Sequence, residues 1–185
     1  MIISTYRQGN FLTMKQNATI TKKLVLTALF CALIMVATLF IRIPLPFGYV
    51  NLGDGFIFLA ALVLGPIWGT LAAGVGSAMA DMFGYITYAP ATLIIKGAMA
   101  LAFWLVYQGL GKVLRAELWR EIIAGAIGAI LMAFGYFVFE AFYLSSIALA
   151  AVGAPWNLLQ GGVGVAVSVI IARILKTTKV FKQFH

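Results

Sequence analysis

Three ionisable side chains, Asp54, Asp81 and Lys96, interrupt otherwise apolar runs in the segment 50–97. A charge inside a lipid-spanning segment costs about 2.5–3.5 kcal/mol on insertion scales, so such residues mark candidate functional sites. Two of the runs meet at Gly65-Pro66, and the chain's reversal there would bring all three charges near one level. Two carboxylates and an amine at one level can hold a polar small molecule, or act as acid and base.

The composition indicates an integral membrane protein. Of the 185 residues, 63% are hydrophobic and 10% are charged, whereas soluble domains carry about 25% charged residues. The net charge of +8 does not indicate nucleic-acid binding, because the basic residues cluster at the ends of apolar runs, as membrane topology requires. Cys31 lies in an apolar run without metal-ligand spacing around it, so an inert buried thiol is expected.

The apolar runs predict an all-α integral membrane protein with six transmembrane helices. A helix needs about 20 apolar residues to cross the hydrocarbon, and a Pro-rich segment or a turn ends each run. The second run is short, so it is not expected to cross at full depth. The predicted spans are 24–41, 52–64, 67–83, 91–110, 121–144 and 156–175.

The positions of the basic residues predict the orientation. With the N-terminus inside, every Lys and Arg except Arg42 and Lys96 lies in or beside an inner segment, as the positive-inside rule requires. We therefore expect a cytoplasmic tail over 1–23, a six-helix membrane domain over 24–176 and a cytoplasmic tail over 177–185. Gly65-Pro66 is expected to form a tight turn between antiparallel helices.

In this topology the unusual polar and aromatic side chains from five spans fall at the outer level. Small-molecule sites combine aromatic walls with a few placed polar groups, and this set has that character. The candidate substrate-binding residues are Asn51, Asp54, Asp81, Tyr85, Tyr88, Thr92, Lys96, Glu140, Tyr143, Trp156, Asn157 and Gln160.

Several of these residues also have a structural interpretation. Lys96 could form an ion pair with Asp81 or Glu140 that only holds helices together. Asp54 could be a solvated residue at a helix start, where the dipole favours an acid. Aromatic residues such as Trp156 could belong to the interfacial belt, and Asn157 could act at a helix N-cap. Tyr85 and Tyr88 could likewise belong to the interfacial belt.

Several common motifs are absent from the sequence. There is no phosphate-binding loop of the G-x-x-x-x-G-K-[ST] type, so the chain is not expected to drive transport by its own ATP hydrolysis. The only histidine is His185, and no metal-binding or nucleophile motif is present. We therefore expect no metal site and no cofactor.

The sequence resembles the substrate-binding (S) subunits of energy-coupling factor (ECF) vitamin transporters over essentially all six spans. The resemblance rests on Asn51-Leu52-Gly53-Asp54, on Leu64-Gly65-Pro66 followed by Gly69, on the run from Gly76 to Asp81 with Gly84-Tyr85, and on Tyr88-Ala89-Pro90 through Lys96-Gly97. Ala28 and Ala32, four residues apart in the first span, match the small-residue motif with which such subunits contact their transmembrane coupling partner.

This resemblance implies a cell-membrane subunit that binds a water-soluble vitamin on the outer side. It also implies three kinds of partner: a transmembrane coupling (T) component, two ATPase subunits and the lipid bilayer. The Asn-Leu-Gly-Asp pattern is most similar to members assigned to hydroxymethylpyrimidine or vitamin B6. Pantothenate, whose carboxylate could meet an unpaired Lys96, and riboflavin are the alternatives.

Two hypotheses of another class stay open at this point. The first is a small integral membrane enzyme that uses Asp54, Asp81 and Glu140 as metal ligands or acid–base groups. The second is a structural or assembly protein whose small-residue faces only pack; it predicts no ligand and tolerance of Asp81→Ala.

Overall fold

Five helices and one short hairpin make up the part of the chain that the computed structural model describes. Its backbone is described over 2–45 and 48–177, and its side chains over 20–41 and 50–177. The elements are α1 (Ile2–Phe40), β1 (Arg42–Leu45), β2 (Gly48–Asn51), α2 (Gly53–Asp81), α3 (Ala89–Leu110), α4 (Glu117–Tyr143) and α5 (Ile147–Thr177). The predicted C-terminal tail lies outside the described residues beyond Thr177.

Five helices among the described residues, rather than the predicted six, are long and apolar enough to cross a membrane. The difference arises because the predicted second and third spans form one element, α2. Helix α1 begins earlier than predicted, within the segment assigned to the N-terminal tail, although its apolar part starts at Ile20. The architecture is therefore an all-α membrane fold apart from the β1–β2 hairpin.

Helix α2 doubles back on itself at Gly65. This glycine has φ 79° and ψ −169°, in the left-handed half of backbone space that only glycine enters at low cost. A Cβ built on Gly69 would lie 2.8 Å from the Cα of Ala61, whereas eight residues of straight helix span about 12 Å. The predicted turn at Gly65-Pro66 is present, and it brings both ends of α2 to one end of the molecule.

The helices pack in sequence order, and α5 closes the bundle against α2. Fully buried apolar side chains such as Ile34, Ile57 and Met99 form the core, with the rings of Phe58 and Phe103 4.9 Å apart between α2 and α3. Outward-facing residues are also large and apolar, as expected where lipid replaces water as the solvent.

The chain forms the hairpin directly after the first predicted span, 24–41. Its strands pair antiparallel, with Arg42 opposite Asn51, and β2 packs against α5. Pro44 in β1 favours an extended conformation for the residue before it. The chain leaves α1 at Phe40 and crosses to the start of α2 as a strand pair. The hairpin sets the position of Asn51 and therefore of the first turn of α2.

A network of charges joins α4 and α5 at the end of the bundle away from the hairpin. Lys176 lies 2.6 Å from Glu117 and 3.3 Å from the buried Glu121, and Arg173 lies 3.8 Å from Glu121. Beside it, the Arg120 guanidinium donates two hydrogen bonds to the Tyr107 carbonyl, of 3.1 and 2.9 Å. Since the last carbonyls of a helix lack partners within it, Arg120 stabilises the end of α3.

Candidate functional site

A cavity of about 450 Å³ lies at the end of the bundle where α1, α2 and α4 finish and α3 begins. Every helix contributes to its wall, and β2 contributes one residue. The lining residues are Thr38, Asn51, Ser77, Asp81, Tyr85, Tyr88, Thr92, Lys96, Tyr136, Glu140, Gly153, Trp156, Asn157 and Gln160.

The floor of this cavity is a buried ion pair between α2 and α3. Lys96 Nζ lies 2.5 Å from Asp54 Oδ1, and the Gln160 amide donates a 2.9 Å hydrogen bond to Asp54 Oδ2. Lys96 Nζ also lies 2.8 Å from the sulfur of Met132 on α4. The predicted pairing of Lys96 with Asp81 or Glu140 was therefore wrong. The hairpin and the bend in α2 place Asp54 beside Lys96 instead.

Asp54 is deeply buried, with 1% of its surface exposed, so the alternative of a solvated residue at a helix start is wrong. Two features hold it there. The Asn51 side chain accepts a 2.8 Å hydrogen bond from the Gly53 N–H, which satisfies one of the free donors at the start of α2. A Cβ on Gly164 would lie 2.6 Å from the Cβ of Asp54, so only glycine allows α5 to approach this closely.

Above the floor, a hydrogen-bonded pair joins α3 and α4. The hydroxyl groups of Thr92 and Tyr136 are 3.0 Å apart, both in buried residues. Lys96 Nζ lies 5.7 Å from the centroid of the Tyr136 ring, which is within the range of a cation–π contact. Thr92 and Tyr136 therefore connect the polar residues of the floor to the aromatic residues of the wall.

The mouth of the cavity is aromatic. The Tyr88 ring makes edge contacts with Phe139 and Tyr143 at centroid distances of 5.1 and 5.7 Å, and with Tyr85 at 6.3 Å. Burial raises the pKa of the Tyr88 phenol above its usual value, and the charge of Glu140 raises it further. Tyr88 therefore stays a neutral hydroxyl at neutral pH, able to donate or accept a hydrogen bond.

The structure brings the predicted site residues together. Asp54 lies below the cavity floor and touches it through Lys96 and Gln160, and Tyr143 lies behind the wall, stacked on Phe139 at 5.7 Å. The predicted residues that line the cavity directly are Asn51, Asp81, Tyr85, Tyr88, Thr92, Lys96, Glu140, Trp156, Asn157 and Gln160.

Helix α5 begins at Ile147, well before the predicted start at 156. Trp156 and Asn157 therefore lie inside the helix, and the N-cap interpretation of Asn157 is wrong. Pro155 lies within α5, since membrane helices tolerate proline where neighbouring groups satisfy the freed backbone. Trp156 faces the cavity, as do Tyr85 and Tyr88, rather than serving only as a belt.

The prediction missed four lining residues: Thr38, Ser77, Tyr136 and Gly153. Two of them carried a usable signal. Ser77 lies four residues before Asp81 and Tyr136 four before Glu140, and residues at this spacing share a helix face. Thr38 gave no such signal, because a lone threonine in a membrane span usually marks packing. Gly153 lies four residues before Asn157, but the predicted span began only at 156 and so left it outside the helix.

The arrangement suits binding rather than acid–base or metal chemistry. Asp54 is occupied by Lys96 and Gln160, which removes it from any shared carboxylate group. Over the described side chains, no three residues of the His, Cys, Asp and Glu types gather as metal ligands would. The fold and the site thus define a small multi-pass membrane protein with a binding cavity at one end of its helices.

A family model described as "ECF-type riboflavin transporter, S component" matches residues 18–177. The chain therefore belongs to the family of S components of ECF-type riboflavin transporters. It is a transport subunit of the cell membrane and not an enzyme, and S components work with a T component and ATPase partners to import a vitamin. The match names riboflavin rather than hydroxymethylpyrimidine or vitamin B6, and so favours the alternative substrate over the first one.

Two further comparisons are consistent with this family. A solved structure titled "Structure and mechanism of the S component of a bacterial ECF transporter" superposes with a TM-score of 0.64 over 85% of this chain and 97% of that chain. Its sequence identity is 22%, so it shows the fold alone. A Pyrococcus woesei protein, described as an uncharacterized protein in a gap 3′ region, is 38% identical over 105 residues, or 56% of this chain and 68% of that protein.

Proposed function

We propose that this S component captures riboflavin from the outer side of the membrane and delivers it inward with ATP-driven partners. The observation that carries the proposal is the family match over residues 18–177, together with a cavity on the same helices. Substrate, site residues and orientation are parts of this one proposal.

The cavity has the chemistry that a flavin needs. A planar tricyclic ring stacks on aromatic side chains, and Tyr136 and Trp156 in the cavity lining can supply them. The ring's pyrimidinedione edge offers carbonyl acceptors and one N–H donor, which match the Asn157 and Gln160 amides. The hydroxyl groups of the ribityl chain can donate hydrogen bonds to the carboxylates of Asp81 and Glu140.

The pairing of Lys96 argues against the pantothenate alternative. A carboxylate ligand would need a cation whose charge is available, but Lys96 is already matched by Asp54 at 2.5 Å. Binding such a ligand would leave two carboxylates competing for one buried amine, and buried charges are costly unless they are paired. An uncharged vitamin meets no such cost.

For orientation, we infer that the cavity faces outward and that both termini are cytoplasmic. The basic residues Lys112, Arg115 and Arg120 follow the far end of α3 from Lys96, and so lie at the opposite end of the bundle. An excess of basic residues marks the cytoplasmic side. Since α2 doubles back at Gly65, the chain also returns to its starting side.

The face of α1 that carries Ala28 and Ala32 is the proposed contact with the T component. Both alanines are exposed on the helix, and small residues at this spacing let a partner helix approach closely in lipid. The T component would in turn connect the subunit to two ATPase subunits, because the chain carries no ATP-binding motif of its own.

Native mass spectrometry of the protein purified from cells in rich medium tests the substrate directly, because a co-purified mass of riboflavin is expected. Titration with riboflavin, followed by quenching of its fluorescence, then gives the Kd. Trp156→Ala should weaken binding by about tenfold, the value of one stacking contact. Glu117→Gln, at the opposite end, serves as the matched control.

Three results would count against this function or redirect it. Binding of pyridoxine or hydroxymethylpyrimidine without riboflavin would move the substrate to the first-expected class. Binding of pantothenate would contradict the argument from the paired Lys96. The absence of any ligand across the vitamin panel would contradict the proposed substrate-binding site.

A further inference from the structure

The loop between α3 and α4, residues 111–116, carries an exposed surface that the proposed function does not use. Both helices are long and apolar enough to cross a membrane, so a short connection between them lies at a membrane surface. The loop is at the end of the bundle opposite the cavity, because Thr92 and Lys96 of the cavity belong to the first two turns of α3.

Backbone hydrogen bonds and one arginine hold this loop in a defined shape. The Leu114 N–H donates a 2.8 Å hydrogen bond to the Leu110 carbonyl, so the chain continues for one further turn beyond α3. Arg120 Cζ lies 4.1 Å from the centroid of the Tyr107 ring, and a Cβ on Gly111 would lie 2.8 Å from Arg120 Nη2. Arg120 therefore packs the start of α4 against both the end of α3 and the first residue of the loop.

The basic side chains around this loop have no acidic counterpart among the described residues. All five Asp and Glu residues of the sequence fall within the described ranges. Three of them belong to the cavity end, and the other two, Glu117 and Glu121, pair with basic residues of α5. None of the five forms an ion pair with Lys112, Arg115 or Arg120. The loop surface therefore keeps its positive charge, and it is complementary to an anion.

Apolar side chains lie beside these charges. Val113 is 85% exposed, and Trp119 in the first turn of α4 is 56% exposed. Lys112 and Arg115 are exposed as well, and their spacing of three residues keeps their Cα atoms within about 11 Å of each other. A tryptophan is typical of the membrane interface, where its ring lies at the level of the lipid headgroups. Positive charge alone would set the topology, whereas an exposed valine between two basic residues suits a surface that is both anionic and apolar.

We propose that the α3–α4 loop binds the phosphate headgroup of an anionic phospholipid. Lys112 and Arg115 contact the headgroup, Val113 and Trp119 contact the apolar region beneath it, and Arg120 is a positioning residue. Basic clusters at the ends of membrane helices recognise anionic lipid headgroups through the same charge complementarity. In the proposed orientation this lipid belongs to the inner leaflet. The inference concerns a second ligand at a second site, so it goes beyond the proposed function and does not depend on riboflavin.

Native mass spectrometry of the delipidated full chain in detergent tests the site by lipid titration. The readout is the Kd of the first bound phosphatidylcholine divided by the Kd of the first bound phosphatidylglycerol with the same acyl chains. Each basic residue near an anionic headgroup strengthens binding by about fivefold, so two of them predict a wild-type ratio of about 25-fold. The ratio should fall about fivefold in Lys112→Gln and in Arg115→Gln, and to near one in the double variant.

Lys23→Gln is the matched control. Lys23 is exposed and lies near the start of the apolar part of α1, at the same end of the bundle. The control therefore removes the same charge outside the loop, and it should leave the ratio unchanged. The same titration of the wild type in low and high ammonium acetate needs no variant. The ratio should shrink at high salt, because salt screens exposed charges.

A wild-type ratio near one would overturn the inference. So would a ratio that falls as much in Lys23→Gln as in the loop variants, because the net charge of the protein would then explain the preference. A large ratio that neither loop variant changes would also overturn it, since the anionic lipid would then bind elsewhere. Riboflavin titration reports on the opposite end of the bundle, so a failure there would refute the proposed function and leave the lipid site standing.

Discussion

Replacing Lys96 by methionine should destabilise the protein strongly. The substitution keeps most of the side-chain volume but removes the cation that lies 2.5 Å from Asp54, a carboxylate with 1% exposure. Breaking a buried ion pair from one side costs about 3–5 kcal/mol, because the other charge stays buried without compensation. Gln160 still donates one hydrogen bond to Asp54, which favours the lower part of this range.

The expected cost corresponds to a fall in Tm of about 6–20 °C, at about 2–4 °C per kcal/mol for a chain of this length. The assay is thermal unfolding in detergent, measured at a single protein concentration and scan rate. The double variant Asp54→Asn, Lys96→Met removes both charges, so its Tm should recover most of the loss. Glu117→Gln breaks a half-exposed pair and should lower Tm by no more than about 4 °C.

Similar small falls in Tm for Lys96→Met and for the Glu117→Gln control would refute this reasoning. The reasoning would also be refuted if the fall in Tm of the double variant equalled the sum of the falls in the two single variants. Contacting residues in one network are expected to be non-additive, so additivity would mean that Asp54 and Lys96 do not compensate each other in the membrane domain.

Three other substitutions test separate features. Gly65→Ala places a Cβ where φ is 79° and ψ is −169° and should cost about 1–3 kcal/mol, seen as a lower Tm; an unchanged Tm would contradict the bend. Gly164→Val would force α5 away from Asp54, whose Cβ lies 2.6 Å from the added carbon. Riboflavin should then bind more than about tenfold more weakly, and unaltered titration would contradict the close packing. Ala28→Leu should reduce co-purification of the T component and spare vitamin binding; the opposite pattern would reassign that face.

The predictable part of the fold is the part that hydropathy and backbone chemistry determine locally. Apolar runs located the helices, and Gly65-Pro66 located the reversal in α2, because no other residue type suits its backbone angles. The start of α5 was not predictable by the same logic. Pro155 is a helix breaker in water but lies within a helix here, since its neighbours in the membrane decide whether the break occurs.

The sequence predicted at which end of the helices the site lies, but not which side chains pair with each other there. Polar residues in apolar spans identified the cavity end of each helix, and most of them do line the cavity. The partner of Lys96 depends on how α2 and α3 are rotated about their axes, and no periodicity in either helix specifies that rotation against the other. The riboflavin family likewise follows from a match over residues 18–177, rather than from the short Asn51-to-Asp54 pattern.

The bend in α2 explains why two aspartates on one helix have different roles. Asp54 and Asp81 stand at opposite ends of α2, and in a straight helix they would be about 40 Å apart. Because the chain reverses at Gly65, both reach the same end of the bundle. Asp54 is enclosed by Gln160 and Gly164 of α5 and neutralises Lys96, whereas Asp81 lines the cavity itself. The backbone angles of Gly65 therefore decide that both aspartates reach the site, although Gly65 is about 16 Å from Asp54 and about 24 Å from Asp81 along the helix axis.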